Sequence, residues 1–252
     1  MKYLIFLDID GTIMADGEIH PRTVNAVRAA QKKGHKVLIN TGRSYSVIQP
    51  EVLEKVQPSG IVAGLGAWIC LDGEVLLSRA ANREQILLAM SVSDKYSIPV
   101  FLEGENCSVS YSSFPRFGED HAVVSSADLF ERFPGIRISK FTYAKPLPEE
   151  AVRELETEFS VFNHPTYAEM GFKGCSKATG MEHVRALLGI DLDHVIAMGD
   201  SANDVLMLKT AGIAVVMGNG VPEVKAIANF VSIDCKEGGV GYAIEKLVLE
   251  KE

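Results

Sequence analysis

The chain alternates short apolar runs with amphipathic stretches, and three of the apolar runs stop at carboxylates or at a small polar turn. YLIFLDI at residues 3–9 closes with Asp8 and Asp10, KVLIN at 36–40 leads into Thr41-Gly42-Arg43, and HVIAMGD at 194–200 ends on Asp200. Runs this short and this apolar read as strands buried on both faces. Amphipathic helices between them require crossovers, so the strands run parallel and helices cover both sides of the sheet. An α/β fold with a mostly parallel sheet follows. In such sheets ligands bind beyond the carboxyl ends of the strands, which is where these acids stand.

Helices are expected over 22–33, closed by Gly34, and over 45–56 and 177–188, with NDVLMLKTAG, VPEVKAIA and GVGYAIEKLVLE as three more near the C-terminus. GIVAG (60–64), IAVVMG (213–218) and FVSI read as strands, and WICLDGEVLL as a hairpin turning at Asp72-Gly73. MADGEI reads as a plain connection, and Trp68 as core. After residue 81 the pattern changes. A helical NREQILLAMSVSDKY, strand-like FLEGENCSVSYSS and GIRISKFTYAK, a helix over 149–159 and an alternating FSVFNHPTYAEMG describe an α+β unit. The expected organisation is a discontinuous core, 1–81 and 173–252, interrupted by an insertion at 82–172. Phe114, Phe117, Phe130 and Phe133 are expected in the core of that insertion or on its rim.

Composition narrows the function classes. Of 252 residues, 47% are hydrophobic and 23% charged, an ordinary globular balance that argues against disorder. The formal charge of −8 disfavours a broad nucleic-acid surface while permitting a local basic pocket. MKYLIFL begins like a signal peptide, but it meets Asp8 and Asp10 with no cleavage pattern after them, and no run approaches a membrane span. Cys70, Cys107, Cys175 and Cys235 form no CxxC pair and are expected as buried free thiols, so a cytoplasmic setting is expected. The scattered histidines disfavour zinc.

The polar residues at the strand ends carry the chemistry. Asp8 and Asp10 stand two apart on a strand and share a face; Gly11 permits a sharp departure of the backbone, and Thr12 adds a donor. Two close carboxylates are costly unless a cation or raised pKa values relieve them. A hard divalent ion such as Mg2+ does so and also engages phosphate oxygens; a solvated pair of acids is the alternative. Asp200, Asn203 and Asp204 supply a second acidic group, in which Asp204 is a helix cap or an organiser as readily as a ligand. Thr41 and the neighbouring amides offer a phosphoryl-oxygen site or an ordinary capped turn. Lys177, in KGCSKATG, offers a charge for phosphate and nucleophile, or is a solvated surface lysine.

Taken in order, DIDGT at 8–12, TGR at 41–43, Lys177 and GDSAND at 199–204 resemble the four motifs of the haloacid dehalogenase-like (HAD) phosphohydrolases over essentially the whole chain. The insertion between the second and third motifs resembles the α/β cap of the Cof-like branch, subfamily IIB. The resemblance implies a Rossmann-like HAD core with an inserted α+β cap, and a Mg2+-dependent phosphatase. It implies Asp8 as nucleophile and Asp10 as general acid and then base. Mg2+ would be held by the Asp8 side chain, the Asp10 carbonyl and Asp200. Thr41, Lys177 and Asn203 would bind phosphoryl oxygens, with Gly11, Thr12, Gly42, Arg43 and Asp204 in support.

The second acid at Asp10 favours phosphate-ester hydrolysis over dehalogenation, because only the former requires protonation of a leaving alkoxide. A small phosphorylated metabolite is the expected substrate, with no nucleic-acid or membrane partner and sugar phosphates foremost. A phosphatase of pyridoxal phosphate or FMN, a phosphosugar mutase, and a regulatory protein retaining the fold stand as alternatives. Within the cap, His164, Tyr167 and Glu169 are candidates to touch a polyhydroxylated leaving group, against the alternative of a packed turn after Pro165.

Overall fold

The computed structural model describes residues 2–112 and 121–250. Its first segment runs β1 (Leu4–Leu7), a hairpin of β2 (Met14–Ala15) and β3 (Glu18–Ile19), α1 (Pro21–Lys32), β4 (Lys36–Asn40), α2 (Pro50–Val56), β5 (Gly60–Ala63), β6 (Trp68–Leu71) and β7 (Glu74–Ser78). The inserted segment runs α3 (Arg83–Tyr96), β8 (Val100–Gly104), β9 (Ser108–Tyr111), β10 (Ala122–Val123), α4 (Ser126–Arg132), β11 (Ile138–Tyr143), α5 (Glu149–Leu155), β12 (Phe159–Asn163) and β13 (Ala168–Phe172). The chain closes with α6 (Lys177–Leu188), β14 (Val195–Gly199), α7 (Val205–Thr210), β15 (Ile213–Val216), α8 (Pro222–Lys225), β16 (Phe230–Val231) and α9 (Gly239–Ile244). Two compact units result: Met1–Gly42 with Ile48–Leu76 and Ser176–Glu252, and Leu77–Cys175 with Arg43–Val47.

The first unit is the α/β core. Its sheet has the order β16-β15-β14-β1-β4-β5-β6-β7. All strands from β16 to β5 pair in parallel, while β6 turns back antiparallel to β5, so the sheet is mixed. The central strands LIFL, VLI and VIAMG are buried throughout, as their continuous apolar runs require. Leu7 stands opposite both Ile39 and Met198. That register brings Asp8, Asn40 and Gly199 out at one sheet edge.

The second unit is the cap, a sheet of order β10-β9-β8-β11-β13-β12 with helices. Phe141, Phe159 and Phe172 are buried within it, with Phe141 edge-on to Phe159 at 5.3 Å between ring centroids. Tyr143 donates its hydroxyl to the Ala89 carbonyl of α3 at 3.0 Å. Among the expected phenylalanines, Phe130 lies under the Arg83 guanidinium at 4.0 Å and Phe133 under that of Arg132 at 5.3 Å. Phe114 and Phe117 lie outside the described residues.

Several local expectations are corrected. The helix expected over 45–56 is a 3-10 turn at Tyr45–Val47 followed by α2, because Pro50 lacks an N–H and starts a helix rather than continuing one. MADGEI is a hairpin rather than a plain connection, and α4, capped by Ser125, was hidden in a short polar segment. The last helix passes into a π turn at Glu245–Leu249. All four cysteines are free thiols, but only Cys235 is buried; Cys70, Cys107 and Cys175 are half-exposed. Trp68 is buried, as expected. No helix among the described residues is long and apolar enough to cross a membrane.

Truncating the cap core tests this packing. Phe141→Ala is expected to lower the unfolding free energy by about 3–5 kcal/mol, read from urea denaturation.

Candidate active site

The edge formed by β1, β4 and β14 collects the polar residues of the core. Asp8 follows β1 directly, its backbone N–H donating to the Met198 carbonyl at 3.1 Å, and its side chain is buried. Lys177 opens α6 after the N-cap Ser176, which forms a capping box with Thr179. A lysine in the first turn of a helix opposes the helix dipole, so its position needs carboxylates nearby. It has two. The Lys177 ammonium donates to Asp8 Oδ1 at 2.6 Å and to Asp204 Oδ1 at 2.7 Å, with all three side chains almost wholly buried.

Asp204 completes its hydrogen bonding through Oδ2, which accepts the backbone N–H groups of Asp200 at 3.1 Å and Ser201 at 3.2 Å. Both carboxylate oxygens are thus engaged, which makes Asp204 the organiser of the loop after β14. Asp200 accepts from the Thr12 hydroxyl at 3.1 Å. Two glycines make room for these acids. Gly11 has a φ of +76°, and a Cβ there would lie 2.7 Å from Asp200 Cγ; a Cβ at Gly199 would lie 2.5 Å from Asp204 Cγ. Either added methyl would displace a carboxylate.

Oxygens of Asp8, Asp200 and Asp204 lie within 4.8 Å of one another. Burial, reinforced by Asp204 and opposed by Lys177, pushes the Asp8 carboxyl up to about 7. Burial and then Asp204 push Asp200 up to about 6, against the Thr12 hydrogen bond and Lys177. Burial works to lower Lys177, but Asp8 and Asp204 outweigh it and raise the ammonium above its ordinary value. Three carboxylates around one ammonium leave two excess negative charges when ionised, the charge of one divalent cation. An all-oxygen donor set in which burial holds the Asp8 and Asp200 carboxyls above their ordinary range fits such an ion.

The other sequence candidates fall in different places. Asp10 is exposed and lies past the end of β1, in an isolated bridge with Met14 rather than on a strand face shared with buried Asp8, and its charge contributes to raising Asp200. Thr41 is buried at the end of β4, its N–H donating to the Val62 carbonyl at 2.9 Å, and Gly42 follows it. Arg43 donates to the Val47 carbonyl at 3.1 Å. Asn203 is exposed, its side-chain oxygen accepting from Ser201 Oγ at 2.8 Å. In the cap, His164 and Tyr167 stack at 4.3 Å, and His164 Nε2 lies 3.3 Å from Glu169 Oε1.

Two asparagines brace the core site without having drawn notice in the sequence. Asn40, fully buried, donates to the Lys177 backbone carbonyl at 2.9 Å, and Asn219 donates to the Gly11 carbonyl at 2.8 Å. Asn40 stands beside Thr41, and its polarity at the end of an apolar strand was the available signal. Asn219 carried none.

The fold and this carboxylate–lysine cluster define a phosphoric monoester hydrolase that works through an aspartate nucleophile and a metal ion. Residues 5–244 match the family model of the haloacid dehalogenase-like hydrolases, and the chain belongs to that family, in its Cof-like branch. It is 30% identical to the putative phosphatase YkrA of Bacillus subtilis over 98% of both chains. It is also 30% identical to the 5-amino-6-(5-phospho-D-ribitylamino)uracil phosphatase YcsE of the same organism, over 98% of this chain and 96% of that one. Among solved structures it resembles the HAD subclass IIB sugar phosphatase BT4131 with a TM-score of 0.80 and 25% identity, over 97% of this chain and 98% of that one.

The raised carboxyls make a pH prediction with a definite sign. A group whose folded pKa of about 6 exceeds its ordinary 3.8 binds its proton more tightly when folded, so the metal-free fold loses stability as pH rises between those values. Asp200→Asn keeps the acceptor for Thr12 and removes the titration. In a chelator, its Tm is expected to rise relative to the native chain between about pH 4 and about pH 7. Added Mg2+ is expected to raise the native Tm above that of the variant.

Proposed function

We propose that the chain is a Mg2+-dependent phosphatase of small phosphate monoesters, foremost sugar phosphates, acting through an aspartyl-phosphate on Asp8. The observation that carries this reading is the buried bridge from Lys177 to Asp8 and Asp204. It holds one Asp8 oxygen on a cation while keeping the side chain rigid, as in-line attack on phosphorus demands. Lys177 and Thr41 bind phosphoryl oxygens, and Asn203 adds a donor at the rim.

Asp10, exposed to the incoming ester, protonates the leaving alkoxide and then takes a proton from the water that opens the acyl phosphate. Asp8, the Asp10 carbonyl and Asp200 hold the metal, which supplies positive charge to the transferring phosphoryl group. Gly11 and Thr12 seat Asp200, Asp204 fixes Lys177, and Gly42 and Arg43 carry the chain away from Thr41. In this reading the division at 1–81, 82–172 and 173–252 separates chemistry from recognition, and His164, Tyr167 and Glu169 of the cap meet the leaving group. Its partners are small phosphorylated metabolites and its compartment is the cytoplasm, in keeping with the four free thiols.

A phosphatase acting on a phosphorylated cofactor or its precursor is a second reading, favoured by the phosphoribityl substrate in the name of the relative YcsE. Its substrate would still present a hydroxylated chain next to the phosphate.

Asp8→Asn is expected to lower phosphate release from any ester by at least about 10^3-fold, and Asp10→Asn by about 10^2- to 10^4-fold for alkyl esters. Phosphate release measured across sugar phosphates, nucleotides and cofactor phosphates tests both. Undiminished release by the Asp8 variant would refute the mechanism, and isomerised phosphosugar without release would mark a mutase.

A further inference from the structure

The loop that follows β15 reaches both acid-bearing loops of the core. Met217 donates its N–H to the Gly199 carbonyl at 3.0 Å, continuing the pairing of β15 with β14, and the Gly220 N–H closes a turn onto the Met217 carbonyl at 2.9 Å. Val221 then donates to the Asp200 carbonyl at 3.2 Å. Asn219, the third residue of that turn, uses both ends of its amide. Its Nδ2 donates to the Gly11 carbonyl at 2.8 Å, and its Oδ1 accepts the Cys235 N–H at 2.9 Å. A backbone N–H can only donate and a carbonyl only accept, so these two partners fix which way the amide faces.

Residues 9–12 form a turn whose shape is set locally. Thr12 donates its N–H to the Ile9 carbonyl at 3.2 Å, and Gly11 donates to the Met14 carbonyl at 2.9 Å. Those bonds leave open where the turn stands relative to Asp200. Gly11, at a φ of +76°, is a swivel there, since glycine has the widest backbone freedom of any residue. The Thr12 hydroxyl holds the Asp200 carboxylate at 3.1 Å, and Asn219 holds the Gly11 carbonyl from a loop that itself binds the Asp200 carbonyl. Asn219 is exposed, so its two bonds compete with water and add only modestly to stability. What they set is the placement of one loop against another.

We propose that Asn219 is a positioning residue for the reaction at Asp8, fixing the Asp10–Thr12 turn at one distance and angle from Asp200. The inference rests on the phosphatase reading above and deepens it. In that reading the divalent ion is shared by donors on both loops, the Asp10 carbonyl on one and the Asp200 carboxylate on the other, so their separation governs how well the ion is held. The same turn carries the Asp10 carboxyl, which must stay within hydrogen-bond reach of the leaving-group oxygen. Asn219 acts through residues 10–12 rather than on the ester itself. Without its donor, Gly11 can swing, and a displacement of about 1 Å at Asp10 is enough to weaken both functions.

Two readouts separate placement from folding. Mg2+ binding to the chelator-stripped protein is measured by calorimetry. The second readout is the ratio of kcat/KM for a sugar phosphate, whose alkoxide must be protonated to leave, to that for p-nitrophenyl phosphate, whose phenolate need not be. The sugar phosphate is whichever of fructose 6-phosphate, glucose 6-phosphate and ribose 5-phosphate the native enzyme turns over fastest. Asn219→Ala is expected to weaken Mg2+ binding about tenfold and to lower the sugar-to-nitrophenyl ratio about tenfold. The ratio is read within one preparation, so loss of folded protein cancels. Asn219→Asp keeps an acceptor for the Cys235 N–H but sets a carboxylate against the Gly11 carbonyl; it is expected to lower the ratio likewise, and it serves if Asn219→Ala does not fold. An unchanged ratio in either variant, or unchanged Mg2+ binding by Asn219→Ala, overturns the inference and leaves the phosphatase reading in place. Absence of phosphate release from every ester by the native enzyme overturns both.

Discussion

The Lys177 ammonium is the contact on which the core site depends. Asp8 and Asp204 are buried acids brought together by strands from opposite ends of the chain, and without a shared cation their desolvation and repulsion would force them apart or neutralise them. One ammonium holds both. Its placement is in turn held by Asn40, which binds the Lys177 carbonyl, and by the Ser176 cap that starts α6 there. Gly11 and Gly199 keep the space that Asp200 and Asp204 occupy. The bridge relieves only part of the negative charge, and the remainder gives the site its appetite for a divalent ion.

The cap repeats the arrangement with different chemistry. Lys140 sits between Glu103 and Glu169 as Lys177 sits between Asp8 and Asp204, again buried and again with one carboxylate in excess of the cation. In the core the carboxylates are short, and Asp204 is pinned by two backbone N–H donors, which suits fixed positions around a reacting centre. In the cap they are longer, borne on strand interiors and flanked by the hydroxyls of Ser108, Ser110 and Thr142.

Much of the core was legible because strand ends carry meaning in a parallel sheet. Asp8, Asp200 and Asp204 could be grouped from the apolar runs before them, Lys177 joined them only through the family resemblance of the motif order, and the structure brings these four together with Thr12. Asn219 escaped, since nothing in its neighbours marks a residue that reaches the Gly11 carbonyl through space. The break at Pro50 was readable from proline's missing donor, which favours the start of a helix over its interior. In the cap, Glu169 is a sequence candidate beside His164, whereas nothing in the sequence around Glu103 and Lys140 marks them as its buried neighbours.

Sequence alone determined the fold class and which residue types stand at the ends of the core strands, because buried parallel strands impose continuous apolar runs that stop where the chain turns. It could not decide which charges are buried or which pairs meet. Strand pairing placed Lys140 against Glu103 and Glu169, and the start of α6 placed Lys177 between Asp8 and Asp204. Burial and long-range pairing are properties of three-dimensional packing, and desolvation acts only once that packing exists.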